Sequence, residues 1–278
     1  VIMNNLIKAN IMRLRKNNIY LLSLLIELFI SLLLPIMHFI DKTKNGISWH
    51  PDDSSFSFLL FLPIIIAAYE SMFIGTEYSD GTIRNKCISG NDRKSIYFST
   101  LLSSLIASFI LALIYIVGHA LFSLILLGPF EASFKKIMVY LALSFALIFT
   151  LTAIICAISL LISNKTYSVT ISILLVFLLL FWGIKITSAL SEPEYYSAYS
   201  YTENGVTVNE EEERNPNYLS GSKRKAYEVL YDFTPGGQML QLASMSSKKP
   251  GMLFLYDAII FVSITFGGVY IFSRKDLK

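Results

Sequence analysis

Six long apolar stretches, separated by polar connections, dominate the hydrophobic pattern of this chain. They cover residues 19–40, 56–74, 95–127, 137–163, 167–189 and 253–272. A bilayer core about 30 Å thick is crossed by about 20 mostly apolar residues in a helix, so each stretch is long enough for one crossing. The third and fourth exceed that length, which favours tilt, kinks or interfacial extension. The pattern predicts an all-α polytopic membrane protein with six transmembrane helices.

The overall composition agrees with that prediction. Of the 278 residues, 54% are hydrophobic and only 15% are charged, whereas soluble domains carry about 25% charged residues. This excludes a soluble enzyme or a nucleic-acid-binding protein. The net charge of +3 is too small to indicate a partner, and two cysteines, Cys87 and Cys156, provide no disulfide framework. The first span is too long for a cleavable signal, and no small-residue cleavage site follows it.

The distribution of lysine and arginine near the span ends predicts the orientation. With the N-terminus inside, twelve basic residues lie on the cytoplasmic side: Lys8, Arg13, Arg15, Lys16, Arg84, Lys86, Arg93, Lys94, Lys165, Arg274, Lys275 and Lys278. The two short outer loops then hold only four: Lys42, Lys44, Lys135 and Lys136. Both termini are therefore predicted to be cytoplasmic.

Two polar segments on the predicted cytoplasmic side suggest fixed structure at the membrane. The first 18 residues place apolar side chains at helical spacing, which is typical of an amphipathic helix in the inner interface; the alternative is an ordinary cytoplasmic tail. The connection at 75–94 is too polar to span. Gly81, Gly90 and Asn91 bracket a helix-compatible stretch at 82–89. That stretch is either a short docking helix or part of a solvated loop.

A long polar segment at 190–251 precedes the last span. It contains the acidic run 210–213, a basic cluster at 223–225 and seven tyrosines: Tyr195, Tyr196, Tyr199, Tyr201, Tyr218, Tyr227 and Tyr231. This aromatic content argues against disorder. We expect a small cap folded on the outer face.

The sequence lacks three common catalytic motifs. The patterns GxxxxGK[ST], HExxH and GxSxG are all missing, so no nucleotide-hydrolysing loop, zinc protease helix or nucleophile elbow is expected. The histidines, His38, His50 and His119, are far apart in sequence with no acidic or cysteine ligand at the required spacing. No metal site, catalytic residue or cofactor is predicted in this chain.

Ionisable residues within the predicted spans are the remaining candidates, because burying them in a membrane is costly. The candidates are Glu27, Glu70, His119 and Asp257. Lys185, near the outer end of the fifth span, can instead snorkel to the outer headgroups. Each has a structural alternative as an interhelical hydrogen-bonding group. An ion-coupled carrier needs such groups near the bilayer midplane, and only Glu27 and His119 have that predicted depth.

The connection after the second span resembles a signature of type-2 ABC exporter permeases. The stretch EYSDGTIRNKCISGNDRKSIYFST at 77–100 shows, in family order, an acidic residue, Gly-Thr, an Ile-Arg-Asn-Lys run and a Gly-x-x-Arg turn. Cys87 stands where leucine is common and Thr100 where lysine often occurs. FTPGGQM at 233–239 and FSRKDLK at 272–278 are similar to further family segments.

The resemblance implies a domain organisation. It places an interfacial connecting helix at 1–18, five spans in 19–189 with a coupling helix at 77–89, an extracellular domain at 190–251, and the last span with a cytoplasmic tail at 252–278. The implied ATPase-coupling residues are Glu77, Asp80, Thr82, Arg84, Lys86 and Arg93.

The resemblance also implies the partners. Two permease chains, as a homo- or heterodimer in the lipid bilayer, would bind two copies of an ATP-binding cassette subunit that holds ATP and magnesium. The expected cargo is hydrophobic or amphipathic, such as antimicrobial peptides, antibiotics or lipids, and the expected location is a bacterial plasma membrane. The alternatives are a membrane sensor with a ligand-binding cap and an ion-coupled carrier.

Overall fold

The fold is a bundle of long helices, seen in a computed structural model that describes residues 2–196, 199–203, 206–210 and 212–276. Glu211 of the acidic run and Lys278 of the predicted cytoplasmic tail lie outside these residues. The helices are α1 (Ile2–Arg15), α2 (Asn18–Asn45), α3 (Phe58–Ser79), α4 (Thr82–Ile88), α5 (Arg93–Leu126), α6 (Phe134–Leu161), α7 (Lys165–Ser191), α8 (Gly221–Phe233), α9 (Pro235–Ala243) and α10 (Pro250–Arg274).

Six of the helices, α2, α3, α5, α6, α7 and α10, are long and apolar enough to cross a membrane. The predicted six spans and the all-α fold class are therefore confirmed. Four of these helices begin at a polar residue whose side chain accepts a backbone N–H of the first turn: Asn17, Asp92, Ser133 and Asn164. Such capping satisfies N–H groups that lack a partner within the helix, so local sequence sets these starting points.

Helices α3 and α6 form the centre of the bundle. Of the most apolar stretch of α3, 67% is buried, compared with 22% for α7. Helix α3 packs against α6 and α7, α6 packs against α10, and α5 packs against α2. The apolar sides of α2, α7 and α10 that face away from the bundle are consistent with contact to lipid.

Helix α1 packs along α5 rather than lying apart from the bundle. Leu6, Asn10 and Leu14 are buried at intervals of four residues, whereas Met3 and Met12 are exposed. Since residues four apart share one helix face, the buried face is narrower than the apolar pattern alone predicts, and it includes a polar residue.

The segment between α7 and α10 contains two short antiparallel hairpins and two helices. Strand β1 (Tyr195–Tyr196) pairs with β4 (Glu213–Arg214), and β2 (Tyr199–Glu203) pairs with β3 (Val206–Glu210). Helix α8 has no buried side chain. Helix α9, in contrast, is almost wholly buried against α7, α3 and α6. Part of the predicted cap is thus an element of the bundle itself.

Three glycines allow α9 to approach α7 and α8 closely. A Cβ atom on Gly236 would overlap the carbonyl of Leu179, and one on Gly183 would overlap the carbonyl of Gly236. A Cβ on Gly237 would likewise overlap the carbonyl of Tyr231. Backbone therefore contacts backbone at this point, as at the small-residue contacts of membrane helices.

Candidate functional site

A short helix, α4, follows α3 where the sequence analysis expected a coupling helix. Gly81 has φ +67° at its start and Gly90 has φ +86° just beyond its end; glycine adopts this left-handed conformation without the steric cost that other residues incur. The predicted helix at 77–89 is therefore wrong in its extent. It covers Thr82–Ile88, and Glu77 belongs to α3, because α3 continues to Ser79 and the left-handed conformation of Gly81 separates the two helices.

Glu77 joins three helices at this end of the molecule, which we call the α4 end. Its carboxylate is completely buried. Lys86 Nζ of α4 donates to both carboxylate oxygens, at 2.8 and 2.9 Å, and Arg13 of α1 forms an ion pair with Glu77 Oε1. A buried carboxylate is tolerated when it is paired with cations and hydrogen-bonded. The ion pairs therefore fix α4 against α3 and α1.

Asn10 extends this contact to a fourth helix. Its side-chain carbonyl accepts a hydrogen bond from Lys86 Nζ at 3.0 Å, and its amide donates to Ser103 Oγ of α5 at 3.4 Å. Neither Asn10 nor Arg13 was singled out as a site residue from the sequence. A sequence signal for Asn10 does exist: it lies four residues after Leu6 and four before Leu14, so it is a polar residue on the same helix face as these two apolar ones.

The outer side of α4 is exposed and carries charged, polar and apolar side chains. Arg84 and Asn85 are exposed, Thr82 is partly exposed, and Asp80 is exposed just before the helix. Ile88 is 74% exposed, whereas Ile83 on the opposite face is 1% exposed. Interfaces between proteins combine apolar side chains with a polar, partly charged rim, and the outer side of α4 provides both kinds of group. The exposure of Ile88 is not predictable from the sequence, because position alone does not separate Ile88 from Ile83.

Arg93 lies beside α10 rather than on the exposed side of α4. Its guanidinium donates to the carbonyl of Ser273 at 3.1 Å and to that of Lys275. Lys275 Nζ in turn donates to Tyr78 Oη and to the carbonyl of Leu160, both at 3.0 Å. Burial lowers the pKa of Lys275 to about 8. These bonds fasten the end of α10 to α3, α5 and α6.

The four ionisable residues predicted inside the spans are all buried but lie in different places. Glu27, Glu70 and Asp257 are each at most 1% exposed, and none of their carboxylate oxygens has a hydrogen-bond partner within the part of the chain that the structure describes. Glu27 lies on α2, Glu70 on α3 and Asp257 on α10. The bundle does not bring them together into one site.

His119 belongs to a cluster at the end of the bundle opposite the α4 end. Ser54 Oγ lies 2.8 Å from His119 Nε2 and 3.3 Å from His38 Nδ1, and the His38 ring stacks on Trp49. His50 lies near Glu131, with 3.2 Å between Nε2 and Oε1. Histidines that are distant in sequence thus gather at one end, but no group of three or more His, Cys, Asp or Glu suited to a metal occurs among the described residues.

The segment before the last span, at 233–239, has a defined structural role. Thr234 Oγ1 accepts the N–H of Gly237 at 3.4 Å and begins α9, with Pro235 as the first helical residue. Gln238 donates to the carbonyl of Asp232 at 2.9 Å, and Gln241 donates to the carbonyl of Tyr231 at 3.1 Å. These bonds hold the start of α9 against the end of α8. Burial raises the pKa of Asp232.

Comparison with known proteins gives a family match. A family model described as "ABC-2 family transporter protein" matches residues 6–182, which is more than half of the chain. The matched region runs from α1 through most of α7 and includes the α4 end. The comparison with curated proteins gave no match.

Proposed function

Since the chain belongs to the ABC-2 transporter family, and is thus the permease subunit of an ABC transporter with an ATP-binding cassette partner, we propose that it functions in export. The proposed cargo is hydrophobic or amphipathic, such as antimicrobial peptides, antibiotics or lipids. Two permease chains would pair in a bacterial plasma membrane, and two ATPase subunits would bind ATP and magnesium beneath them. The permease itself would catalyse no reaction.

The observation that carries this proposal is the two-sided character of α4. On its inner side, Lys86 is held by Glu77, and Ile83 is packed into the bundle. On its outer side, Arg84 and Ile88 are exposed. A helix that is fixed to the bundle and exposes a mixed surface is suited to receive a partner. We therefore assign the outer side of α4, with Asp80, as the ATPase-docking surface.

The same arrangement supports a mechanism of coupling. A ligand shifts a conformational equilibrium only by its difference in binding free energy between the two states. ATP binding in the partner would change the contacts on α4, and the ion pairs of Glu77 would transmit the displacement to α1 and α3. Under this mechanism Glu77, Lys86 and Arg93 position the docking surface, whereas Asp80, Thr82, Arg84 and Ile88 contact the partner.

The first test is purification of the chain from its native membrane, followed by identification of any subunit that carries an ATP-binding motif. We expect a stoichiometric ATPase, with ATP hydrolysis restored when the two are combined in nanodiscs. Recovery of a kinase instead would support the sensor. Transport that continues after ATP depletion but stops in Glu27→Gln or His119→Ala would support the ion-coupled carrier.

The second test addresses the docking surface. We expect Ile88→Ala and Arg84→Ala each to weaken ATPase binding by about tenfold, because truncating a central contact residue costs about 1–2 kcal/mol. The measurement is the dissociation constant of the purified permease and ATPase. The matched controls are Val229→Ala and Lys225→Ala on α8, which remove an exposed apolar and an exposed basic side chain at the opposite end. Unchanged affinity in both α4 variants would refute the assignment.

A further inference from the structure

A small groove lies between α6 and α10 at the level of Asp257. Its volume is about 210 Å³, and its lining includes Phe149, Phe254, Phe261 and Asp257. Val262 also lines the groove. The side chains of Phe254 and Val262 are 55% and 50% exposed, so the groove opens sideways out of the bundle. Asp257 is the eighth residue of α10 and lies about 10 Å along the helix from its first residue.

The carboxylate of Asp257 is the unusual feature of this groove. The residue is 1% exposed, and neither carboxylate oxygen has a hydrogen-bond partner among the described residues. The hydroxyl of Thr150 is the polar side-chain group beside this carboxylate, and its single hydrogen is shared between the backbone carbonyls of Ala146, at 3.0 Å, and of Asp257 itself, at 3.2 Å. Buried polar groups in proteins are nearly always satisfied, so this carboxylate lacks a partner that a ligand can supply.

The remaining lining indicates the chemistry of that ligand. Apart from Asp257 and Thr150, the lining side chains are apolar, and three of them are phenylalanines. The faces of aromatic rings attract cations, and aromatic rings near a negative charge recognise quaternary ammonium groups. A bare metal ion fits the groove poorly, because calcium and magnesium require about six oxygen ligands and the groove provides one carboxylate.

We propose that this groove binds small organic cations that carry an ammonium group on an apolar body. The ammonium group lies against Asp257 and the phenylalanine rings, and the apolar body fills the opening between α6 and α10. The ligand enters sideways from the bilayer. Binding supplies the buried carboxylate with a charge partner, which it lacks among the described residues. The site stands apart from the α4 end and does not require that the ligand be transported.

The probe for this site is benzyltrimethylammonium, paired with its neutral carbon analogue neopentylbenzene. Binding of each is measured with the purified full-length permease in nanodiscs, without any ATPase, and empty nanodiscs correct for partition into lipid. We expect saturable binding of the cation and only partition of the neutral analogue. Saturable binding of both with equal affinity would overturn the role of charge.

Two variants locate the binding. We expect Asp257→Asn to lower the affinity for the cation at least tenfold, whereas Glu27→Gln, which removes another buried carboxylate outside the groove, leaves it unchanged. Ala258→Leu fills the groove from an exposed lining position and keeps Asp257, so it decides the question if Asp257→Asn does not fold. Wild-type affinity in a folded Asp257→Asn or Ala258→Leu permease would overturn the proposal. That outcome would leave the export function untouched, since no ATPase is present in the assay.

Discussion

Glu77 shows how one side chain can hold several elements in position. It is completely buried, and its partners come from α1, 64 positions earlier in the sequence, and from α4, nine positions later. Removing one member of such a cluster leaves the other charges buried without compensation, which costs more than the cluster contributes as a whole. Lys86 is only 11% exposed, so water replaces the lost partner poorly.

We therefore expect Glu77→Gln to lower the free energy of unfolding by about 3 kcal/mol, measured by denaturant titration of the purified protein in detergent. The matched control is Glu228→Gln on α8, which breaks an exposed pair with Arg224 at 3.6 Å and is expected to cost less than about 0.5 kcal/mol. If the two variants lose the same stability, Glu77 does not hold the α4 end together.

At the scale of elements, the position of α9 depends on glycines, which have no side chain to keep α7 and α9 apart. The helix has only nine residues, too few to be stable in isolation, and it persists because it is buried against α7, α3 and α6. Gly183 and Gly236 bring the backbones of α7 and α9 into contact. A methyl group at either glycine must push the two helices apart.

We expect Gly236→Ala to lower the free energy of unfolding by about 2–3 kcal/mol, because overpacking at a close contact displaces backbone. Gly267→Ala on α10 is the control, since a Cβ there meets no atom within 4 Å; it should be neutral or stabilise by up to about 1 kcal/mol. Thermal unfolding in detergent distinguishes them. Equal stability of both variants would argue against close packing of α7 and α9.

At the scale of the whole molecule, the end of α10 connects distant parts of the chain. Lys275 bonds to Tyr78, 197 positions away, and to the carbonyl of Leu160, 115 positions away. Together with the bonds of Arg93 to the carbonyls of Ser273 and Lys275, these contacts close the bundle at the α4 end. The last span is thereby fixed to the helices that carry the proposed docking surface.

The lowered pKa of Lys275 predicts a pH dependence of stability. Burial lowers this pKa from 10.5 to about 8, so between these values the unfolded chain retains a proton that the folded chain has released. The contribution of Lys275 to the free energy of unfolding therefore rises with pH across that window. We expect Lys275→Met to remove this rise relative to wild type, and exposed Lys225→Met on α8 to preserve it. Identical pH profiles for wild type and Lys275→Met would contradict the prediction.

The sequence by itself determined the elements whose cause is local. The six spans follow from runs of apolar residues longer than the bilayer core is thick, and capping residues such as Asn17 and Asp92 set where helices begin. The short helix after α3 was also predictable, because Gly81 and Gly90 mark its two ends. The family signature at 77–100 identified most of the candidate coupling residues in the same way, since it lies in one continuous stretch.

Tertiary structure decided everything that depends on contacts between distant segments. The pairing of Glu77 with Arg13, the exposure of Ile88 and the burial of α9 each require the positions of other helices, which a local pattern of polar and apolar residues does not contain. The same holds for Asp257, whose carboxylate acquires a groove only because α6, more than 100 residues earlier, packs against α10. Hydropathy determines which residues enter the membrane, whereas the packing of side chains and glycines determines which of them meet.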